Sequence, residues 1–372
     1  MLPARQATDV TLRRRPPSGR GPAPEVGGGT VPGYLRDVSG GNPLTVIGSM
    51  ADDLARVQTE LELVVQTPNH FLTELASHLI AAGGKRIRPG FAIAAAATGL
   101  TVDTPAVHEV VRGGAAVELV HLGSLYHDDV IDDAVTRHFV PSVNSLWGNH
   151  KAILAGDFLL ARASEIAASL GTEVAGLLGA TISKLVEGQI LELQTQFDPT
   201  RSEASYLRSI ENKTAALLAT SCRVGAIVAE LPREQIDGLT SFGLAYGMAF
   251  QIVDDVLDLV ATDQDLGKPS GHDLEEGVYT LPVLRALQTD LADELAPLLI
   301  RDMDEVQRRS AVELVRSSAV VASAIDTARS YAATATRVLD QLPPSPGATG
   351  LAAAADYLVA SVERAAARQV VS

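Results

Sequence analysis

Apolar residues return at helical spacing from about residue 47 onward, and this pattern constrains the fold more than any other feature of the chain. Leu54, Val57, Leu61, Val64 and Val65 recur at such intervals, as do Phe71, Leu72, Leu75, Leu79 and Ile80. That spacing stacks side chains on one face of a helix. Breakers fall at Thr67-Pro68-Asn69, Gly83-Gly84, Thr104-Pro105, Asp198-Pro199, Leu231-Pro232 and Gly267-Lys268-Pro269. They leave segments of roughly 15 to 30 residues joined by short connections. Leu342 to Gly347 reads as a loop and Leu351 to Gln369 as a last Ala-rich helix. With 46% hydrophobic but only 4% aromatic residues, and few clustered strand formers, the composition also favours helix. The reading is all-α, a single large helical bundle domain over residues 47–372, with no repeat at solenoid periods.

Residues 1–46 differ. They hold 8 Gly and 7 Pro and no helical periodicity, so they read as a disordered tail. Six arginines against Asp9, Glu25 and Asp37 make the tail +3, and the rest of the chain then carries −18 of the net −15. Such a tail is either a solvated extension or a docking element for a partner or protein shell. The acidic balance argues against nucleic-acid binding. One cysteine, Cys222, allows no internal disulfide and is compatible with the cytoplasm. No uninterrupted run of about 18 apolar residues occurs, so no transmembrane segment is expected, and nothing resembles a secretory signal.

Two clusters carry the chemistry: Asp128-Asp129-Val-Ile-Asp132 and Asp254-Asp255-Val-Leu-Asp258, 126 residues apart. In each, carboxylates at i and i+4 share a helix face and the middle one lies about 100° round. Set among apolar residues, such a cluster is unfavourable without cations. Magnesium is a hard ion that takes carboxylate oxygens together with substrate phosphates, and it suits the pattern. One cluster alone is as readily a solvated acidic face; two alter the balance. A calcium EF-hand after Asp263 fails, because glycine and glutamate miss the required loop positions. The glycines of Gly83-Gly84-Lys85-Arg86-Ile87-Arg88-Pro89 would let Lys85 and Arg88 converge on an anion, although an ordinary helix break reads the same way.

Together, GGKRIRP (83–89), HLGSLYHDDVIDDAVTR (121–137), the Ala155–Leu159 stretch, Lys213-Thr214 and FQIVDDVLDLVATDQDLGKPSGHDLEEG (250–277) resemble the trans-prenyl (polyprenyl) diphosphate synthase family, in the family's order. The resemblance implies the isoprenoid synthase fold, a homodimer whose helices surround a central cavity. It implies that Asp128, Asp129, Asp132, Asp254, Asp255 and Asp258 hold Mg2+, three ions per active site, on an allylic diphosphate. Arg137, Lys213 and Lys268 would contact its oxygens, and Thr214 and Gln251 would offer oxygen dipoles to the allylic cation. Isopentenyl diphosphate would lie on Lys85, Arg88 and His121, the last of which reads by itself as a neutral helix-face histidine.

Two positions depart from the family. His138 stands where a second arginine is common and lacks its bidentate fork, and Val278 stands where many relatives have lysine. Weaker binding of isopentenyl diphosphate is the expectation. Gly123 and Ser124, one turn before Asp128, are small where short-chain members place an aromatic floor, so products of C20 or longer are expected. A class I terpene synthase, ionising one allylic diphosphate, is the alternative, and a noncatalytic partner subunit a third reading.

Overall fold

Stretches of helical periodicity separated by Gly and Pro breaks become a bundle in the computed structural model, which describes residues 42–137, 140–261 and 270–369. In chain order the helices are α1 (Met50–Val64), α2 (His70–Ala82), α3 (Ile87–Ala96), α4 (His108–Ile131), α5 (Val143–Trp147), α6 (Asn149–Ser169), α7 (Thr172–Gln194) and α8 (Glu203–Ile210). There follow α9 (Ala216–Val228), α10 (Arg233–Val260), α11 (His272–Glu275), α12 (Leu281–Ala286), α13 (Ala292–Leu295), α14 (Glu305–Arg316), α15 (Ala319–Leu339) and α16 (Pro346–Gln369). The five described breakers all fall between helices; Gly267 to Pro269 lie outside the described residues.

The bundle is organised on α4, buried without interruption from Gly113 to Val120, as a helix surrounded by others must be. Helices α1, α3, α6 and α9 pack on it, and α10 runs along α9 and α15. α16 closes the bundle against α3, α10 and α15. It starts at Pro346 instead of Leu351, because proline suits the first helical position and the Ser345 hydroxyl accepts the Ala348 amide at 3.1 Å.

Two sequence expectations change. Residues 43–46, counted with the tail, form a 3-10 turn packed against α16, with Leu44 buried in the core; residues 1–41 lie outside the described residues. A two-residue ladder pairs β1 (Thr136–Arg137) with β2 (Val140–Pro141), antiparallel, with Thr136 opposite Pro141, too short to leave a periodic signal. By length and composition alone α7 is also long and apolar enough to cross a membrane, with 28% of its apolar window buried, and scattered polar residues interrupt its apolar run. In the bundle α7 packs on α6, α8 and α9.

The turn between α2 and α3 is held from inside. Gly83, Gly84 and Arg86 have φ of +80, +150 and +46°. Arg86 turns its guanidinium into the core, where Nη1 donates to Glu118 at 2.8 Å and Nη2 donates to the Ile80 carbonyl at 2.9 Å and to Gln58 at 2.8 Å. Removing one member of such a buried pair strands the other charge, a loss of about 3–5 kcal/mol. Glu118→Ala therefore lowers unfolding free energy by about that amount in urea titration, and Arg86→Met with Glu118→Leu loses less than Glu118→Ala alone. A double variant less stable than Glu118→Ala contradicts the assignment.

Candidate active site

The first aspartate cluster ends α4. Asp132 is the C-cap residue, its amide bonded to the Asp128 carbonyl at 2.8 Å, and Asn144 Nδ2 donates to the carbonyls of Asp129 and Ala134 at 2.9 and 3.1 Å. Asp128 and Asp132 line a cavity of about 940 Å3. Asp129 does not line it: the 100° step turns it into the protein, where it is 1% exposed and accepts from Arg137 Nε at 2.7 Å. It thus holds Arg137, which lies on the cavity wall, and Asp129, expected to face a metal, stands behind that wall instead.

The second cluster lies near the end of α10. Asp254 is exposed on the same cavity wall. Asp255 is buried, lines an adjoining cavity of about 630 Å3, and accepts from the Tyr206 hydroxyl and from Gln251 Nε2, the latter at 2.8 Å. Asp258, expected beside Asp254, is instead buried beneath the returning chain. Its carboxylate accepts the Asp273 amide at 3.3 Å and its carbonyl the Gly271 amide at 2.8 Å. Among the described residues, Asp128, Asp132 and Asp254 are the motif carboxylates on the larger cavity's wall.

Between the clusters the chain widens into a π-helical turn, Glu211–Ala215, a local form common at functional sites. Gly188 on α7 lets the backbones meet there, since a Cβ would lie 2.6 Å from the Lys213 nitrogen. The turn aims Lys213 at Glu192, 2.6 Å away, and Thr214 donates its hydroxyl to Gln251 Oε1 at 2.7 Å. Lys213, Thr214 and Gln251 line both cavities.

Crowding is visible in the titration behaviour. Burial, and then the neighbouring Glu276, push the Asp132 carboxyl up to about 6. Burial likewise raises Asp255 to about 7, with Asp254 and Asp258 adding repulsion against the Tyr206 and Gln251 bonds. Asp128 is raised by burial despite Lys213 and Arg137. Burial disfavours the Lys213 ammonium, yet Glu192, Asp128 and Asp132 outweigh it and hold its pKa above the ordinary value. Both clusters also sit at helix C-termini, whose partial charge is negative.

Arg88, His121, Ser124 and Leu125 also line the larger cavity. Arg88 Nε is buried without a hydrogen-bond partner. Lys85 is exposed and off the wall, because the Arg86 anchor directs the intervening turn inward. Gly123, expected beneath the substrate, faces α6: its Cβ would lie 3.1 Å from the Gly156 carbonyl and Leu160. His138 and Lys268 lie outside the described residues. Val278 lines the smaller cavity.

The site also contains Gln189, Glu192, Tyr206, Arg201, Asp273 and Glu276, which sequence reasoning missed. Gln189 and Glu192 had a signal, two polar groups at i and i+3 on an apolar helix; Tyr206 and Arg201 had none. Among the described residues no three Asp, Glu, His or Cys groups form a ready-made metal cage. The donor set nevertheless fits Mg2+, which takes one or two carboxylates and completes its shell with water and substrate phosphate: hard oxygens of Asp128, Asp132 and Asp254 face one cavity that also carries Lys213 and Arg137.

A polyprenyl synthetase family model matches residues 69–315. The chain is 39% identical over 309 residues to nonaprenyl diphosphate synthase of Mycobacterium tuberculosis, covering 82% of this chain and 91% of the relative. It is 38% identical to heptaprenyl diphosphate synthase component 2 of Geobacillus stearothermophilus, covering 79% and 91%. The crystal structure of geranylgeranyl pyrophosphate synthase from Corynebacterium glutamicum, complexed with calcium and isoprenyl diphosphate, superposes with a TM-score of 0.73 at 37% identity over 84% of this chain and 96% of that one. With the motif order, the fold and this likeness in agreement, the chain belongs to the polyprenyl synthetase family.

Proposed function

We propose that this prenyltransferase condenses isopentenyl diphosphate with an allylic diphosphate, with Mg2+ as its working ion, three per active site, and forms trans-polyprenyl diphosphates of C20 or longer. The observation that carries the reading is one cavity whose wall holds both a carboxylate and cation set, Asp128, Asp132, Asp254, Lys213 and Arg137, and a further basic pair, Arg88 and His121. When bound, the metal neutralises diphosphate oxygens and makes the group leave more easily. Lys213 and Arg137 orient that diphosphate, and Lys268 is assigned with them on sequence. Leu125 and Leu185 keep water from the allylic cation, which Thr214 and Gln251 face with oxygen dipoles. Arg88 and His121 hold isopentenyl diphosphate so that its double bond meets the cation, and His138 completes that subsite less firmly than arginine. A proton is then lost, with the departing pyrophosphate as the acceptor in this reading. The length assignment rests on Ser124 alone, since Gly123 faces α6.

Apolar side chains of α6 and α7 remain outside the bundle, with Leu154 64%, Val186 58% and Ile190 48% exposed. Val186 and Ile190 also line the cavity, so a second copy on this face would close its flank. A homodimer in the cytoplasm is our reading, the latter supported by the lone buried thiol of Cys222.

Five outcomes test these proposals. Incubation with Mg2+ and each allylic diphosphate yields elongated products only when isopentenyl diphosphate is present. Asp128→Ala lowers kcat at least about 100-fold, and Ser124→Phe shortens the products. Hydrocarbon formed from the allylic substrate alone defeats the reading. On pH, the folded state keeps protons on Asp132 and Asp255 up to about 6 and 7, whereas unfolded aspartates titrate near about 3.9. The native state therefore binds more protons in this window, and without divalent ions Tm falls as pH rises from 5 to 8. Mg2+ with pyrophosphate removes the decline, and Asp132→Asn flattens it; a metal-free Tm rising with pH contradicts the assignment. In light scattering, the wild type is a dimer and Leu154→Glu with Val186→Glu a monomer. A monomeric wild type points to a different second chain, as the name of the Geobacillus relative, component 2, allows.

A further inference from the structure

Arg201 precedes the N-cap of α8 and is 5% exposed. Its Nη1 reaches the Tyr279 carbonyl at 3.5 Å, at the limit of a hydrogen bond, and its guanidinium lies 5.7 Å from the centre of the Tyr206 ring. Nε and Nη2 are buried with no partner. No ion pair to it is found among the described residues. Burial pushes its pKa down, while Glu192, Tyr206 and Asp255 act from a distance in the other direction.

Arginine keeps its charge in proteins, and an unpaired buried cation is strongly unfavourable. The stack on Tyr206, whose hydroxyl is committed to Asp255, orients the planar fork without neutralising it. Arg201 lines the 630 Å3 cavity with Lys213, Thr214, Gln251 and Val278, and its buried Nε and Nη2 lie beside it. The missing counter-charge is therefore best supplied by a ligand that enters this cavity. Two unused N–H groups in one plane match a pair of oxygens on phosphate, and the neighbouring Asp132 and Asp255 admit such an anion once cations neutralise them.

We propose that Arg201 is a binding residue for the diphosphate group, contacting either the allylic substrate or the pyrophosphate it releases. The proposal rests on the prenyltransferase reading and adds a contact to it. Binding of inorganic pyrophosphate with Mg2+ is measured by calorimetry, and KM for each substrate is measured separately. Arg201→Met weakens pyrophosphate binding about tenfold or more, while KM for isopentenyl diphosphate stays within about twofold on the same scale. A parallel rise in KM for the allylic diphosphate assigns the contact to the bound substrate; an unchanged one assigns it to released pyrophosphate. Tm of the ligand-free variant stays level or rises, because a stranded charge has been removed. Val278→Lys, on the same wall, restores affinity to the Met variant. If Arg201→Met does not fold, Arg201→Gln carries the same comparison. Unchanged pyrophosphate affinity in the folded variant overturns the role of Arg201 and leaves the prenyltransferase reading standing. A wild type that neither binds pyrophosphate nor elongates overturns that reading itself.

Discussion

Negative charge gathered at the C-terminal ends of α4 and α10 is the constraint to which the rest of the molecule responds. Helix ends of this polarity already favour cations, and carboxylates brought from both into one cavity intensify the demand. Burial first, and then neighbouring carboxylates, raise Asp128, Asp132 and Asp255. Lys213 and Arg137 supply part of the compensation. The remainder falls to metal ions and to the anion they carry, so the site is stable in its charged form chiefly when loaded.

Holding such a site open requires rigid surroundings, and these come from hydrogen-bonded pairs in and directly behind the cavity walls. Asp129 fixes Arg137, Tyr206 and Gln251 fix Asp255, and Thr214 fixes Gln251. Each bond leaves one polar group oriented toward the cavity. The π turn at Glu211–Ala215 serves the same purpose, delivering Lys213 and Thr214 where a regular helix would rotate them away. In the turn between α2 and α3, the buried Arg86–Glu118 pair anchors the backbone from which Arg88 lines the cavity while Lys85 does not.

The helices that wall the cavity also bound the molecule. α7 offers Gln189 and Glu192 to the site while Val186 and Ile190 face both cavity and exterior. Closing the flank and covering that apolar face are thus one task, which links assembly to the volume available for a growing chain.

Much was legible in the sequence because it is local. Helical periodicity, Gly and Pro breaks and low β-propensity determined the all-α bundle, and the motifs identified both clusters together with Arg88, His121, Ser124, Lys213 and Gln251. Tertiary structure alone decided which members of each motif face the cavity. Asp129 and Asp258 are themselves buried and turn to Arg137 and the Asp273 amide, Gly123 meets α6, and Lys85 stays outside. It also brought in Glu192, Tyr206 and Arg201, far in the chain from both clusters. The physical reason is that spacing sets angles between neighbours on one helix, whereas the direction of the whole set depends on packing between segments that local spacing does not encode.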